Sequence, residues 1–378
     1  MKLTFFLLSL LFSIPLSFAQ EPSEGWERLS DLPLARSEFT GNAVATNVYL
    51  IQGFGTGTNF TMYNTITGTY HELSPVPYSA HHSASAVHNG KIYVAGGCTF
   101  GDLCPTAVVY DIASNTWVQL PDMPLPNLSP TAKIVNNHFF VIGGIPNANA
   151  CQKYNIATNT WSFCADLLTG RNHLSSAVYD NKIYVINGRG GDSGDLTANE
   201  VYNPVTNSWQ ILADKPTGMA GGWGGIFNDK IFVMGGENSL TGANEWYDPV
   251  TDLWTIGPDM PTPRHGLVCE PVGSKIYCFG GGTVEGGGPS AVVEVFDANS
   301  FLQSAYCNPP GAGDWTLTQS CILNSSSSAA GNIIVPNNVV LTIPNNLTLG
   351  VDFANFGLTI NSGGGVLIKS GGTLQTNS

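Results

Sequence analysis

Short apolar stretches alternate with polar turns along most of the chain. The stretch KIYVAGG at residues 91–97 is an apolar strand followed by two glycines, and near-copies of it recur. They are KIYVING at 182–188, KIFVMGG at 230–236, KIYCFGG at 275–281 and FFVIGG at 139–144. Runs of this length between Gly, Asn and Asp residues are typical of β-strands, whereas no helical periodicity extends beyond about two turns. The pattern predicts an all-β protein.

A second motif follows each of these strands after a variable loop. It reads VVYDIASNTW at 108–117, QKYNIATNTW at 152–161, EVYNPVTNSW at 200–209 and EWYDPVTDLW at 245–254. The polar segment before each Trp predicts a turn that tolerates positive φ and joins two strands as a hairpin. The two motifs repeat about every 45 residues, a period typical of propellers and solenoids.

Together the motifs resemble the Kelch repeat, over roughly residues 26–301. The resemblance implies that each repeat forms one blade of four antiparallel strands, with the glycines near a central channel and the Trp between blades. Second strands can be counted from YLIQGFG at 49–55 to the strand ending at Gly281, and there are six. We therefore expect a six-bladed Kelch-type β-propeller with a small C-terminal β-rich module.

Two segments of the sequence are candidates for the strand that closes the ring. Tyr70 takes the Trp position of the first repeat, and Phe301 takes that of the sixth. Trp26, in WERLSDLP, has the sequence of a fourth strand without the three strands that should precede it. Either Trp26 completes the sixth blade, or Phe301 does so and the N-terminal strand has no partner.

The two ends of the chain differ from the repeats. Residues 1–19 have one Lys, a short apolar run and a small-x-small ending, the layout of a secretory signal peptide, although a retained anchor is the alternative. We assign 20–305 to the propeller and 306–330 to a Cys- and Ser-rich linker. Short alternating pieces in 331–378 predict a β-roll or β-solenoid-like tail. No later apolar run is long enough for a membrane helix, so we expect a secreted, periplasmic or cell-surface protein without a membrane span after signal removal.

Charge excludes one class of partner. Signal removal leaves 13 of the 14 Lys and Arg residues against 27 Asp and Glu, a formal net charge of −14. Such a surface repels phosphate backbones and anionic membranes, so we expect no nucleic-acid partner. We also expect a monomer that carries no cofactor.

Eight cysteines in an exported chain predict four disulfides. The expected hairpins and loops favour four local pairs, each adding about 2–3 kcal/mol of stability. These pairs are Cys98 with Cys104, Cys151 with Cys164, Cys269 with Cys278, and Cys307 with Cys321. Neither a Cys-x-x-Cys pair nor a His at zinc spacing is present, so we expect no metal site.

Propellers bind ligands at the mouths of the channel, on loops held by the blades. Basic and imidazole residues recur near the start of the first strand of a blade: Arg36, His81, His82, Arg171, His173, Arg264 and His265. In Kelch proteins this position faces the mouth, so the resemblance implies a basic ring able to bind a carboxylate or sulfate. Alternatively, each Arg pairs with an acid such as Glu38, Glu237 or Glu270, or caps a turn.

These residues support two classes of function. The first is an exported binding scaffold that recognises a carbohydrate or protein ligand at the mouth. The second is a carbohydrate-modifying enzyme similar to the sialate mutarotases, which use a Glu and an Arg for acid–base work; Glu237 with Arg171 or Arg264 are the candidates. The Asn-Gly-Glu segment of that family is Asn187-Gly188-Arg189 here, with Arg where Glu would be needed. A spacer domain in a surface layer is a third possibility.

Overall fold

The structure is a computed structural model, and part of the chain is described. The described residues are 25–99, 102–191, 194–237, 240–299, 302, 306–317, 321–323, 326–336, 340–343, 348–361, 365–368 and 373–376. The expected signal peptide at 1–19 lies outside them. Within these ranges, no helix has the length and apolar character that crossing a membrane requires.

Six antiparallel sheets of four strands form the propeller, which confirms the predicted fold class. The chain begins with β1 (Trp26–Arg28). Blade one contains β2 (Thr40–Val44), β3 (Asn47–Ile51), β4 (Phe60–Asn64) and β5 (Thr69–Glu72). Blade two contains β6 (Ala84–His88), β7 (Lys91–Ala95), β10 (Ala107–Asp111) and β11 (Thr116–Gln119), with β8 (Cys98–Thr99) and β9 (Asp102–Leu103) as a small hairpin in its loop.

The other blades repeat this order. Blade three contains β12 (Thr131–Val135), β13 (His138–Ile142), β14 (Cys151–Asn155) and β15 (Thr160–Phe163). Blade four contains β16 (Ser175–Tyr179), β17 (Lys182–Ile186), β18 (Asn199–Asn203) and β19 (Ser208–Ile211). Blade five contains β20 (Trp223–Phe227), β21 (Lys230–Met234), β22 (Asn244–Asp248) and β23 (Leu253–Ile256). Blade six contains β24 (Val268–Val272), β25 (Lys275–Phe279) and β28 (Val293–Phe296), with β26 (Gly282–Val284) and β27 (Gly287–Pro289) paired beside them.

Two-residue turns fix the register between the first two strands of a blade. In blade three, Val135 pairs with His138, so Asn136 and Asn137 alone make the turn. Their φ values are 48° and 58°. Two successive left-handed residues match the twist of the flanking strands, and Asn tolerates this conformation better than most residues do. The polar dipeptide in the sequence therefore determines which strand residues face the channel.

The Tyr-to-Trp motif joins each blade to the preceding one, as blade four shows. The Tyr202 hydroxyl donates to Asn207 Oδ1 at 2.7 Å, which holds the turn between the third and fourth strands. The same oxygen accepts from the Ala165 amide of the preceding inter-blade loop at 2.9 Å. Trp209 Nε1 donates to the Ala165 carbonyl at 2.8 Å. The motif thus provides hydrogen-bond partners for the Ala165 amide and carbonyl, which would otherwise be unpaired between the blades.

Trp26 closes the ring. Strand β1 pairs with β28, with Trp26 opposite Phe296, and so becomes the fourth strand of blade six. Trp26 is 4% exposed, and its Nε1 donates to the Pro258 carbonyl at 3.0 Å. The motif residues Trp117, Trp161, Trp209 and Trp254 each donate in the same way to a carbonyl of an inter-blade loop. The rival candidate, Phe301, lies outside the described residues. In blade one, Tyr70 replaces the Trp and its hydroxyl donates to the Ser30 carbonyl at 3.4 Å.

Three of the four expected disulfides are present. The pairs are Cys151–Cys164, Cys269–Cys278 and Cys307–Cys321. The first two lie within single blades, so each stabilises one sheet. The fourth expected pair involves Cys98, whose side chain lies outside the described part of the chain.

The C-terminal segment coils into three parallel sheets, a solenoid arrangement. Its strands are β29 (Tyr306–Cys307), β30 (Trp315–Thr316), β31 (Cys321–Leu323), β32 (Ser327–Ala329), β33 (Ile333–Val335), β34 (Val340–Ile343), β35 (Thr348–Val351), β36 (Leu358–Ile360), β37 (Gly365–Ile368) and β38 (Thr373–Thr376). Ile333, Leu341 and Leu349 are fully buried between the sheets. The first strands fall at 306–330, the segment that we expected to be a linker, because Cys307, Trp315 and Cys321 contribute to the same core.

Truncating Trp26 should destabilise the whole propeller. The Trp26→Ala variant loses a buried ring and the bond that joins the first strand to blade six, so we expect the free energy of unfolding to fall by about 3–5 kcal/mol. The Trp26→Phe variant keeps an apolar ring and loses only the hydrogen bond, so it should lose less. Urea unfolding monitored by circular dichroism measures both, and equal stability of Trp26→Ala and wild type would contradict closure by Trp26.

Candidate functional site

A closed ring of backbone hydrogen bonds surrounds one mouth of the channel. One residue of each blade, two positions before its first strand, donates its N–H to the carbonyl of the equivalent residue in the preceding blade, at 2.7–3.0 Å. All six have φ between 50° and 67°. They are Glu38, His82, Ser129, His173, Gly221 and Gly266. We call this set the mouth ring.

A second circle of hydrogen bonds explains the paired glycines. The N–H of Gly97 donates to the Asn127 carbonyl of the next blade at 2.9 Å, and equivalent bonds follow in the other five blades. Gly97 has φ of 90°, and a Cβ there would lie 2.7 Å from the His81 carbonyl oxygen. Only glycine combines that backbone angle with so close an approach. The glycines therefore hold the mouth ring against the blades.

Three side chains converge on the carboxylate of Glu38. His265 Nδ1 lies 2.8 Å from Glu38 Oε1, and His82 Nε2 lies 3.1 Å from Glu38 Oε2. His173 belongs to the same cluster. One carboxylate oxygen of Glu38 and one ring nitrogen each of His82 and His173 all lie within 4.8 Å of one another. Two members of the mouth ring, Gly221 and Gly266, have no side chain, which leaves room for this cluster. The expected His82, His173 and His265 are thus brought together at the mouth.

Aromatic contacts fix the remaining histidine. His81 stacks on Phe54 with ring centroids 3.9 Å apart, and its Nδ1 lies 2.6 Å from His82 Nδ1. The His82 and His173 rings meet edge to face at 5.0 Å. Phe54 and His81 are both partly exposed, so they form an accessible part of the rim.

Burial sets the charges of this cluster. Burial by itself would raise the pKa of the Glu38 carboxyl, but the hydrogen bond from His265 and the nearby histidine charges hold that pKa at about 2. Burial lowers the pKa of His82 to about 4 and also lowers that of His173. Burial lowers the pKa of His265, but the hydrogen bonds to Glu38 and the Val284 carbonyl and the charges of Glu38 and Glu237 together outweigh burial, so that pKa is raised. Near neutral pH, Glu38 is therefore a carboxylate beside uncharged His82 and His173.

An ion pair lies on the same rim. Arg189 Nη2 lies 2.7 Å from Glu237 Oε2, and Glu237 Oε1 accepts from the Gly286 amide at 2.7 Å. Burial raises the pKa of Glu237, but the hydrogen bonds from Arg189 and the Gly286 amide and the charges of His265 and Arg189 together outweigh burial, so the net shift is downward. The Arg189 side chain is 35% exposed. Arg189 is thus an accessible arginine of this rim, and in the sequence it stands out only as a departure from the mutarotase motif.

The three expected arginines lie inside the blades instead of at the mouth. Arg36, Arg171 and Arg264 are at most 1% exposed. Arg171 pairs with Glu200 at 2.7 Å, and Arg264 pairs with Glu294 at 2.8 Å. These arginines therefore do not form a basic ring at the mouth, because the backbone turns so that the residue two before each mouth-ring position points into its blade.

Arg36 has neutral partners, and a buried Lys completes the pattern. The Arg36 guanidinium donates to Asn59 Oδ1 at 2.6 Å and to the Leu50 carbonyl at 3.3 Å. In blade five, Lys215 pairs with Glu245, and both are at most 2% exposed. The acids Glu200, Glu245 and Glu294 share one place, the second residue of a third strand, and their carboxylates tie the inter-blade loops to the sheet. The proposed catalytic pairs of Glu237 with Arg171 or Arg264 are accordingly not formed.

The channel inside the mouth ring is narrow and polar. Its volume is about 130 Å³, and the first strands of all six blades line it. Lys133, Trp223 and Glu270 lie deeper along it, and the Ala43 amide donates to Glu270 Oε2 at 3.0 Å. Burial raises the pKa of Glu270 to about 7, although Lys133 opposes this shift. A small-molecule pocket usually has about 300–1,000 Å³, so the channel is too small to enclose such a ligand.

Comparison with known proteins agrees with the geometry. The KLHDC2/KLHL20/DRC7 Kelch-repeats domain matches residues 82–281, which is 200 of the 378 residues. The chain belongs to the Kelch-repeat family. Kelch-like protein terF of Aspergillus terreus is 28% identical over 201 residues, which covers 45% of this chain and 44% of that protein. Kelch-like protein 38 of Homo sapiens is 25% identical over 172 residues, which covers 43% and 29% respectively.

These Kelch relatives are longer than the region that they share with this chain, which spans less than half of their length. Among solved structures, YjhT superposes with a TM-score of 0.62 at 19% identity, covering 70% of this chain and 95% of YjhT. At this identity the likeness extends to the fold alone. Kelch propellers generally act as scaffolds for protein interactions.

Loss of a buried arginine should destabilise the blade. The Arg171→Met variant leaves the Glu200 carboxylate without its counter-charge, so we expect the free energy of unfolding to fall by about 3–5 kcal/mol. The double variant Arg171→Met, Glu200→Met should lose less, because no charge is left buried. Urea unfolding measures the three proteins. The Arg28→Met control, at an exposed Arg, should stay within about 0.5 kcal/mol of wild type.

Glu270 should make stability depend on pH. Its folded pKa of about 7 lies above its ordinary value of 4.5, so the folded state holds the proton more tightly. Its contribution to stability should fall as pH rises from about 4.5 to 7 and stay constant above that, with a total change of roughly 1–3 kcal/mol. Glu270→Gln removes this titration. Unfolding curves of wild type and variant between pH 5 and 8 give the difference, and parallel pH profiles would contradict the shift.

Proposed function

We propose that the chain is an exported binding scaffold whose ligand lies across the mouth ring. The observation that carries the proposal is the rim itself, where Phe54, His81 and Arg189 are partly exposed on loops that the two circles of backbone bonds hold in place. Aromatic residues and Arg are enriched at protein interfaces. Rigid loops favour binding because little conformational freedom is lost.

A protein ligand fits this surface best. The channel volume of about 130 Å³ favours a partner that covers the rim over a small molecule enclosed within it. Family membership supports the same interpretation, because Kelch propellers generally carry protein interactions. A carbohydrate chain resting on the Phe54 and His81 rings is the other ligand class that the rim could take.

Export is part of the proposal. The signal-like residues 1–19 support it, and the three disulfides support it as well, since such bonds persist mainly in oxidising compartments. The expected localisation is extracellular, periplasmic or at the cell surface.

The binding test compares rim variants with matched variants elsewhere on the propeller. Disulfide-intact protein is screened on an array of extracellular proteins and on an array of neutral and acidic glycans, and each hit is quantified by biolayer interferometry. We expect Phe54→Ala and Arg189→Ala each to weaken binding at least tenfold, about 1.4 kcal/mol. The controls are Phe163→Ala and Arg28→Ala, whose side chains are exposed away from the mouth.

Each outcome bears on the proposal. Hits on the protein array that only the rim variants lose support a protein-binding scaffold, and hits confined to the glycan array would replace the protein with a carbohydrate. Hits that all four variants retain would place the binding surface elsewhere and overturn the proposal.

The Arg189–Glu237 pair favours a second candidate, a carbohydrate-modifying enzyme. A carboxylate and a guanidinium 2.7 Å apart on the rim are groups that could carry acid–base work on an anionic sugar. This function requires that the protein interconverts the anomers of a sialic acid, which NMR measures. The Glu237→Gln variant should abolish this turnover. Binding without turnover would leave only the scaffold.

A further inference from the structure

The mouth ring assembles a donor set that the scaffold function does not use. Glu38, His82 and His173 come from blades one, two and four, and one donor atom of each lies within 4.8 Å of the other two. His82 Nε2 and Glu38 Oε2 are 3.1 Å apart. Two ligands bound at about 2.0–2.1 Å to one tetrahedral ion are separated by roughly 3.3 Å, so this pair already has nearly the required spacing.

A neighbouring side chain holds the other polar atom of each donor. His265 Nδ1 bonds to Glu38 Oε1, which leaves Oε2 directed at the cluster. His81 contacts His82 Nδ1, which leaves Nε2. Asn172 Oδ1 contacts His173 Nδ1, and this contact leaves Nε2 near the Ser129 hydroxyl. Contacts of this kind fix the orientation of ligands in metal sites.

We propose that Glu38, His82 and His173 bind one divalent transition-metal ion of the zinc type at the mouth of the channel. Two imidazole nitrogens and one carboxylate oxygen suit zinc and its neighbours in the first transition row. Calcium and magnesium prefer oxygen ligands throughout, so the set discriminates against them. Three protein ligands leave a coordination position that faces the channel, and water or an oxygen atom of a ligand can occupy it.

Binding of this ion would also join three blades. The donors are separated by 44 and 91 residues along the chain, so an ion on all three spans much of the ring. An ion that binds only the folded state stabilises it, because unfolding must release the ion. Metal uptake should therefore raise the melting temperature.

The test is a zinc titration of the full, untagged, disulfide-intact protein after treatment with EDTA. Isothermal titration calorimetry should give one Zn²⁺ per chain with a Kd in the micromolar range or tighter, together with a higher melting temperature. Ca²⁺ and Mg²⁺ should give no saturable binding at the same concentrations. Glu38→Gln, His82→Gly and His173→Gly should each weaken zinc binding at least 100-fold.

The variants are chosen so that the fold survives. Glycine already occupies the equivalent mouth-ring positions 221 and 266, so it suits the left-handed backbone at positions 82 and 173. His71→Ala is the matched control, because His71 is exposed on an outer strand. It should bind zinc as wild type does.

A measurement on unaltered protein makes the test independent of variant folding. X-ray absorption at the zinc edge of the loaded wild type should show two imidazole ligands with the remaining ligands oxygen. Absence of saturable zinc uptake by wild type would overturn the proposal, as would uptake that none of the three mouth-ring variants reduces. Because no other ligand is added, failure here would leave the proposed binding function untouched, and failure of the array screen would leave the metal site untouched.

Discussion

The mouth ring holds the six blades together at the centre of the propeller. Each of six residues in the left-handed conformation donates its N–H to the carbonyl of the equivalent residue in the preceding blade. Every blade is therefore bonded to both neighbours at its inner edge. A left-handed backbone costs a residue other than glycine about 1–3 kcal/mol, and four of the six positions carry such residues. The surrounding blades hold these residues in place, and three of the four side chains meet in one cluster.

The outer edge of each blade is tied by different chemistry. There the Tyr hydroxyl, the turn Asn and the Trp indole satisfy the backbone of the preceding inter-blade loop, and Trp26 extends this arrangement across the point of closure. Between the two edges, buried acids on the third strands neutralise Arg171, Lys215 and Arg264. At the inner edge the blades are joined by backbone hydrogen bonds, whereas elsewhere they are joined by side chains. Side chains at the inner edge can therefore differ between blades without loss of these bonds.

The sequence places some of the candidate site residues correctly relative to the mouth and others not. His81, His82, His173 and His265 were expected at the mouth and do lie there, because residues just before a first strand must lie at the channel end of that strand. The arginines were placed on the same reasoning and lie inside the blades. A difference of one position reverses the direction of a side chain in an extended backbone, and the left-handed mouth-ring residue turns the chain again, so the repeat alignment alone does not resolve which side chains reach the mouth. Glu38 could have been found by aligning the six positions before the first strands.

The six-bladed Kelch fold, the hairpin turns and three disulfide pairs follow from the amino-acid sequence alone, since each depends on residues close together in the chain. Residues close in the sequence set the conformation of the paired glycines, the Asn-rich turns and the Tyr-to-Trp motif. Three features are visible only in the folded molecule: Trp26 closes the ring, Arg171 and Arg264 are neutralised internally, and Glu38 meets His82 and His173. These contacts join residues from different blades or strands, and their distances are set by the closure of the ring.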